Sequence, residues 1–131
     1  MPSGTPSPDT VRLLRLTLTP GLGPILARRV LTHLDGADPD TLTIAALASI
    51  DGIGQRTARQ IARGLRDAAP LVQEEIELAS SLDVQLISQS DPDYPDLLRI
   101  LPDAPLVISV RGHQCDPTLD TCWPVAIVGS R

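Results

Sequence analysis

The chain has 131 residues, a formal net charge of -5 and 42% hydrophobic residues, which suits one ordinary domain and is too short for two full-sized ones. With no Phe, one Trp and one Tyr, any core must be built from Leu, Ile, Val and Ala, and an aromatic stacking platform for bases is excluded. No run approaches the ~20 apolar residues that span a bilayer, and the first ten residues lack the basic and apolar regions of a signal peptide, so the expectation is a soluble, cytoplasmic protein without a membrane partner.

All eleven basic residues are Arg, whose guanidinium fork binds phosphate oxygens bidentately. Their distribution matters more than their sum. Residues 12 to 66 hold eight Arg against four Asp, a net +4, whereas the remainder holds three Arg against twelve acids, a net -9. An anionic partner is therefore expected to meet the first half. Cys115 and Cys122 lack the CxxC spacing and the second pair of a zinc site and read as incidental thiols.

Residues 1 to 8 carry three prolines and no large apolar residue beyond Met1, and read as a disordered tail. Asp9 or Thr10 is expected to cap a first helix bearing Val11, Leu13, Leu14 and Leu16, which stops before Pro20. An internal repeat follows. Gly21-Leu22-Gly23 recurs as Gly52-Ile53-Gly54, 31 residues on, and at the same offset Leu16 matches Leu47, Ala27 matches Ala58, Arg28 matches Arg59, Val30 matches Ile61 and Leu34 matches Leu65. Each copy reads as helix, tight turn, helix, with Pro24 at the first position of one second helix and Thr43 capping a short helix with Ile44, Leu47 and Ala48.

A helix from about Gln55 to Leu65 buries Ala58, Ile61, Ala62 and Leu65, leaving Arg56, Arg59, Arg63 and Arg66 on or beside the opposite face. A separate amphipathic helix is expected to open at Pro70, with Leu71, Val72, Ile76, Ala79 and Leu82 inward and Glu74, Glu75 and Glu77 outward. Beyond Asp83, the runs 84–87, 106–110 and 125–128 read as strands, with a short helix bearing Leu97, Leu98 and Leu101 opening at Pro95.

A helix preceded by Gly-apolar-Gly presents backbone N-H groups and a positive dipole end, an arrangement that binds phosphate without reading sequence. The stretch from Leu47 to Leu65 resembles the helix-hairpin-helix motif, which implies non-specific contact with the DNA backbone through Gly52, Gly54, Arg56, Thr57 and Arg59. The first copy, with Gly21, Gly23 and Arg28, is the weaker one: Pro24 removes a backbone donor, and Ile25 and Leu26 stand where the second copy has Arg56 and Thr57. Such hairpins also serve as protein contacts or spacers, and exposed arginines also occur simply as a solvated helix face.

The second half carries a more specific pattern. Asp93-Tyr94-Pro95-Asp96-Leu97-Leu98, then Ile100, Pro102-Asp103-Ala104-Pro105, Val110-Arg111-Gly112 and Val125-Ala126-Ile127-Val128-Gly129-Ser130-Arg131, resembles the DNA-processing protein A family (DprA/Smf). The resemblance implies an α/β chain. An all-α tandem helix-hairpin-helix (SAM-like) domain would occupy 9–68, and a helix plus the incomplete start of a Rossmann-like domain would occupy 69–131. It further implies a single-stranded DNA-binding protein of natural transformation that helps load the RecA recombinase, is not an enzyme and needs no cofactor, with Gly129, Ser130 and Arg131 lining a backbone pocket. Ser109 departs from the family's common aromatic, and the loop from Cys115 to Trp123 has no counterpart.

Because the family's Rossmann-like domain would only be starting at Arg131, the chain resembles an N-terminal part with weak or no autonomous activity. Its last apolar run would be frayed or irregularly docked, and homodimerisation would belong to a longer product. No GxGxxG or GxSxG is present. His33 fits a helix end, His113 a turn, and Asp91, Asp93 and Asp96 fit turn and capping roles better than a metal site. The alternative is a helical protein-interaction module that does not bind DNA, recognised through the acidic segment from Glu74 to Glu77.

Overall fold

A computed structural model describes residues 5–112 and 125–129. The chain is a mixed, helix-rich α/β structure with a small two-stranded sheet. In order, the elements are α1 (Pro8–Thr17), α2 (Pro24–Leu34), a single 3-10 turn (Pro39–Thr41), α3 (Ile44–Ala48), α4 (Gln55–Ser81), β1 (Val84–Ser88), α5 (Asp96–Arg99) and β2 (Val107–Arg111).

The first helix begins earlier than its sequence suggests. Its cap is Ser7, whose hydroxyl accepts from the Thr10 N-H at 3.1 Å, with Pro8 in the first turn, where a missing N-H costs no helical bond. Of the two expected caps, Asp9 lies within the first turn and Thr10 is buried. The helix therefore begins at Pro8, inside the span read as tail.

The repeat is reproduced bond for bond. In the first turn Thr19 N-H donates to Leu16 O, Leu22 N-H to Thr19 O and Ala27 N-H to Gly23 O. At the 31-residue offset, Ile50 N-H donates to Leu47 O, Ile53 N-H to Ile50 O and Ala58 N-H to Gly54 O. Gly21 and Gly52 take φ of +81° and +86°, a region that disfavours side chains, while Gly23 and Gly54 are extended N-caps. Five matched apolar pairs are buried at both members: Leu16 with Leu47, Leu22 with Ile53, Ala27 with Ala58, Val30 with Ile61, and Leu34 with Leu65. These residues, with Leu13, Ile50 and Leu106, form one core. Thr43 caps α3, accepting from Ala46 N-H at 3.1 Å.

The separate helix expected from Pro70 does not exist. Instead α4 runs unbroken for 27 residues with Pro70 inside it, across the expected boundary at 68/69. Proline in a helix interior forfeits a hydrogen bond at a cost of roughly 3 kcal/mol. It is tolerated here because Ala58, Ile61, Leu65, Ala68, Val72 and Ala79 continue one buried face on both sides of it, against α1, α3 and β1. Leu71 and Leu82, expected inward, are exposed, as is Leu78; Val72 and Ala79 are buried as expected.

The strands β1 and β2 pair antiparallel, from Val84 opposite Arg111 to Ser88 opposite Val107. Tyr94 is buried in their connection and donates to Pro105 O at 2.7 Å. Arg99 stacks 5.3 Å from its ring and ties the same loop by bonds to the carbonyls of Gln89, Asp91 and Tyr94. A third strand at 125–128 is not present: residues 125–129 have no regular structure, and Val125, Ile127 and Val128 are 83%, 95% and 91% exposed. Among the described residues no strand pairs with this run, and without a partner an extended segment completes no ladder. Among the described residues there is no parallel strand pair, and no helix is long and apolar enough to cross a membrane.

Candidate functional site

The site is built around the N-terminus of α4. Gly54 caps it without a side-chain hydrogen bond, and neither Gly54 nor the exposed Gly52 is covered by backbone. The opening N-H groups of the helix therefore point outward with the positive end of its dipole. Arg56, Arg59, Arg63 and Arg66 follow at helical spacing on the face opposite the core, and all are exposed. Arg63 lies 4.0 Å from Asp67; Arg56, Arg59 and Arg66 have no hydrogen-bond or ion-pair partner among the described residues. Thr57, one of the expected contacts, is half-buried at the same helix start.

An open groove of about 540 Å³ runs along this face, lined by Arg56, Arg59, Gln60, Arg63, Gly64 and Asp67 of α4 and by Pro20 from the first turn. Its wall is close-fitting, since a side chain at Gly64 would begin 3.0 Å from Thr19 Cγ2 and 3.1 Å from Pro20 Cδ. Three guanidinium groups and a helix start beside one groove can hold an extended polyanion; nothing in the arrangement reads a base edge.

The two glycine turns are not equivalent at their surfaces. Each is overlaid by a side chain from the second helix of the other unit, and the two overlaying residues occupy matched repeat positions. Gln60 lies over Gly21, with its Nε2 3.2 Å from where a Cβ would stand, and Arg29 lies over Gly52, with its Nη1 at 2.5 Å. Arg29 Nη1 also donates to Asp51 O at 2.7 Å and sits 3.6 Å from the Asp51 carboxylate. The first turn thus receives a neutral amide and the second a cation. The sequence offers Arg28 and its neighbour Arg29 as phosphate partners of the first copy. The half-buried Arg28 has its Nε buried without a hydrogen-bond partner, and Arg29 serves the other turn.

Other charges on the first half are committed internally. Arg15 bridges α1 to the rest, donating to Leu65 O at 3.0 Å and to Asp40 at 2.5 Å, and this hydrogen bond holds the Asp40 carboxyl below the usual range. Arg12 pairs with Asp9 and donates to Gly36 O.

A second cluster escaped sequence reading. Thr10 donates to Ser88 Oγ at 3.0 Å, and Ser88 donates to Asp91 Oδ2 through its hydroxyl at 2.9 Å and its N-H at 2.6 Å. Thr10 and Ser88 are buried, and the network ties α1 to the end of β1. Asp91 therefore has the turn role expected of it, and no group of three potential metal ligands occurs among the described residues. Only the hydroxyl pairing across 78 positions is invisible locally.

Gly129 is exposed and lies in the irregular 125–129 segment, while Ser130 and Arg131 fall outside the described residues, as do His113, Cys115, Cys122 and Trp123. Comparison with known proteins offers no relative: no family model, no curated protein and no solved structure matches this chain.

Proposed function

We propose that this chain binds single-stranded DNA through its backbone, as a cytoplasmic DNA-processing protein of natural transformation that helps place RecA recombinase on the strand. In this reading the two glycine-turn units are a tandem helix-hairpin-helix domain, and the sheet region is the start of a Rossmann-like domain. The role is binding rather than catalysis. The observation that carries it is the groove beside the start of α4, where the Gly54 cap, which offers no side-chain hydrogen bond, and the unpaired Arg56 and Arg59 face solvent together. Phosphate recognition needs that combination: a fixed set of N-H donors for one oxygen and guanidinium forks for its neighbours.

The test is fluorescence anisotropy with a labelled oligothymidine across a salt series. Neutralising Z phosphates of a single strand gives a slope of log affinity against log salt near -0.7Z. Replacing Arg56 and Arg59 by Ala should weaken binding and make the slope shallower by about 1.4, the contribution of two phosphates. Unchanged affinity and slope in the double variant would remove this groove from the proposal.

One observation favours a second reading, a protein-interaction module. Leu71 and Leu78 on the C-terminal half of α4 and Leu82 at its C-cap are exposed apolar residues, beside the exposed Glu74 and Glu77. An apolar contact of this kind would change little with salt, which separates it from the first reading.

A further inference from the structure

The geometry points to Arg29 as a phosphate-holding residue of the second turn, supplied across the repeat by the first unit and held in a resting position by Asp51. This deepens the polyanion reading above and depends on it.

The argument begins with the reciprocal overlay. Matched positions 29 and 60 each reach the other unit's glycine, so the crossing is a feature of the repeat and not an accident of one long side chain. At the first turn the visitor is Gln60, which brings no charge, and Pro24 has already removed one donor from that helix start. At the second turn the visitor is a guanidinium lying on the bare face of Gly52, two residues before the cap of α4. Only one of its nitrogens, Nη1, is engaged, on Asp51 O at 2.7 Å, and the side chain is 44% exposed. The planar fork therefore keeps donors available beside the outward N-H groups of the same turn.

Asp51 sets the resting state. Its backbone carbonyl fixes the fork, and its fully exposed carboxylate, 3.6 Å from Nη1, is the counter-ion that an incoming phosphate must displace. Asp51 matches Pro20 in the first copy, which has neither the cation nor the acid. The pair Arg29 and Asp51 thus makes the two turns unequal, with one anion position at the second turn and none at the first.

The experiment uses the full chain with labelled oligothymidine across a salt series, together with circular dichroism melts of every variant. Arg29→Ala should weaken binding several-fold and make the salt slope shallower by about 0.7, one single-strand phosphate. Asp51→Asn should tighten binding by about 1.5- to 5-fold, the range for releasing one exposed ion pair, and this gain should vanish in the Arg29→Ala, Asp51→Asn double variant. Gln60→Arg, which copies the cation onto the first turn, should steepen the slope. A purely structural role for Arg29 would lower the melting temperature and leave the slope and the Asp51 coupling untouched, which overturns the inference while Arg56 and Arg59 still carry binding. Absence of binding by the unaltered chain would overturn the function itself, and this inference with it.

Discussion

Replacing Gly64 by Ala tests how the groove wall is built, because local and tertiary effects carry opposite signs there. In an ordinary helix interior the change stabilises by about 1 kcal/mol, since Ala has the higher helix propensity. At Gly64 the new methyl would stand 3.0 Å from Thr19 Cγ2 and 3.1 Å from Pro20 Cδ, inside the roughly 3.5–4.0 Å optimum for carbon pairs. Neither neighbour yields easily. Thr19 is buried and its hydroxyl donates to Arg15 O at 2.8 Å, while Pro20 is a rigid ring leading into the positive-φ Gly21. Overpacking of this kind costs about 1–3 kcal/mol, so the expected net is a destabilisation of about 1 kcal/mol, or a Tm lower by roughly 3–5 °C for a chain of this length. Urea denaturation and thermal melts measure it directly. A variant more stable by about 1 kcal/mol would show that the first turn is free to move away from α4, and the close-fitting wall would have to be abandoned.

Two further outcomes follow from single contacts. Tyr94→Phe removes the buried hydroxyl that donates to Pro105 O at 2.7 Å, leaving that carbonyl to Gln89 Nε2 alone, and should destabilise by about 1 kcal/mol in urea, with Arg99 left stacked on the ring. The Asp40 carboxyl is held below its ordinary value by the hydrogen bond from Arg15, so its contribution is complete above the unfolded value and is lost as pH falls through the folded one. Stability measured from neutral pH down through the acid range should therefore decline less steeply in Asp40→Asn than in the unaltered chain; parallel acid limbs would remove the pair from the account.

Much of the first half was legible because its determinants are local or periodic. The 31-residue repeat, the Gly-apolar-Gly turns, the cap at Thr43 and the apolar matches from Leu16 to Leu65 all appear in space where the pattern puts them, since a positive-φ glycine and a helical stripe are properties of short segments. The strand runs that became β1 and β2 and the short helix after Pro95 were equally readable, but their antiparallel pairing was not. The exposed arginine face opposite the α4 core likewise follows from 3.6-residue periodicity.

Tertiary structure decided the rest. Pro70 reads as a helix start in any local window, yet α1, α3 and β1 cover one continuous face on both sides of it and hold a single helix through the break. Thr10 reads as a cap, yet Ser88 and Asp91, far along the chain, draw it into a buried network. The run 125–128 has the composition of a strand, but a strand is completed by its partner and none pairs with it among the described residues. Gly64 carries no sequence signal and matters because another turn touches it, while Arg29 reads as a phosphate partner of its own copy yet crosses to a turn belonging to its repeat partner. Sequence specifies segments and their faces, while which charges remain unpaired beside a groove depends on long-range contacts that only the packed chain brings together.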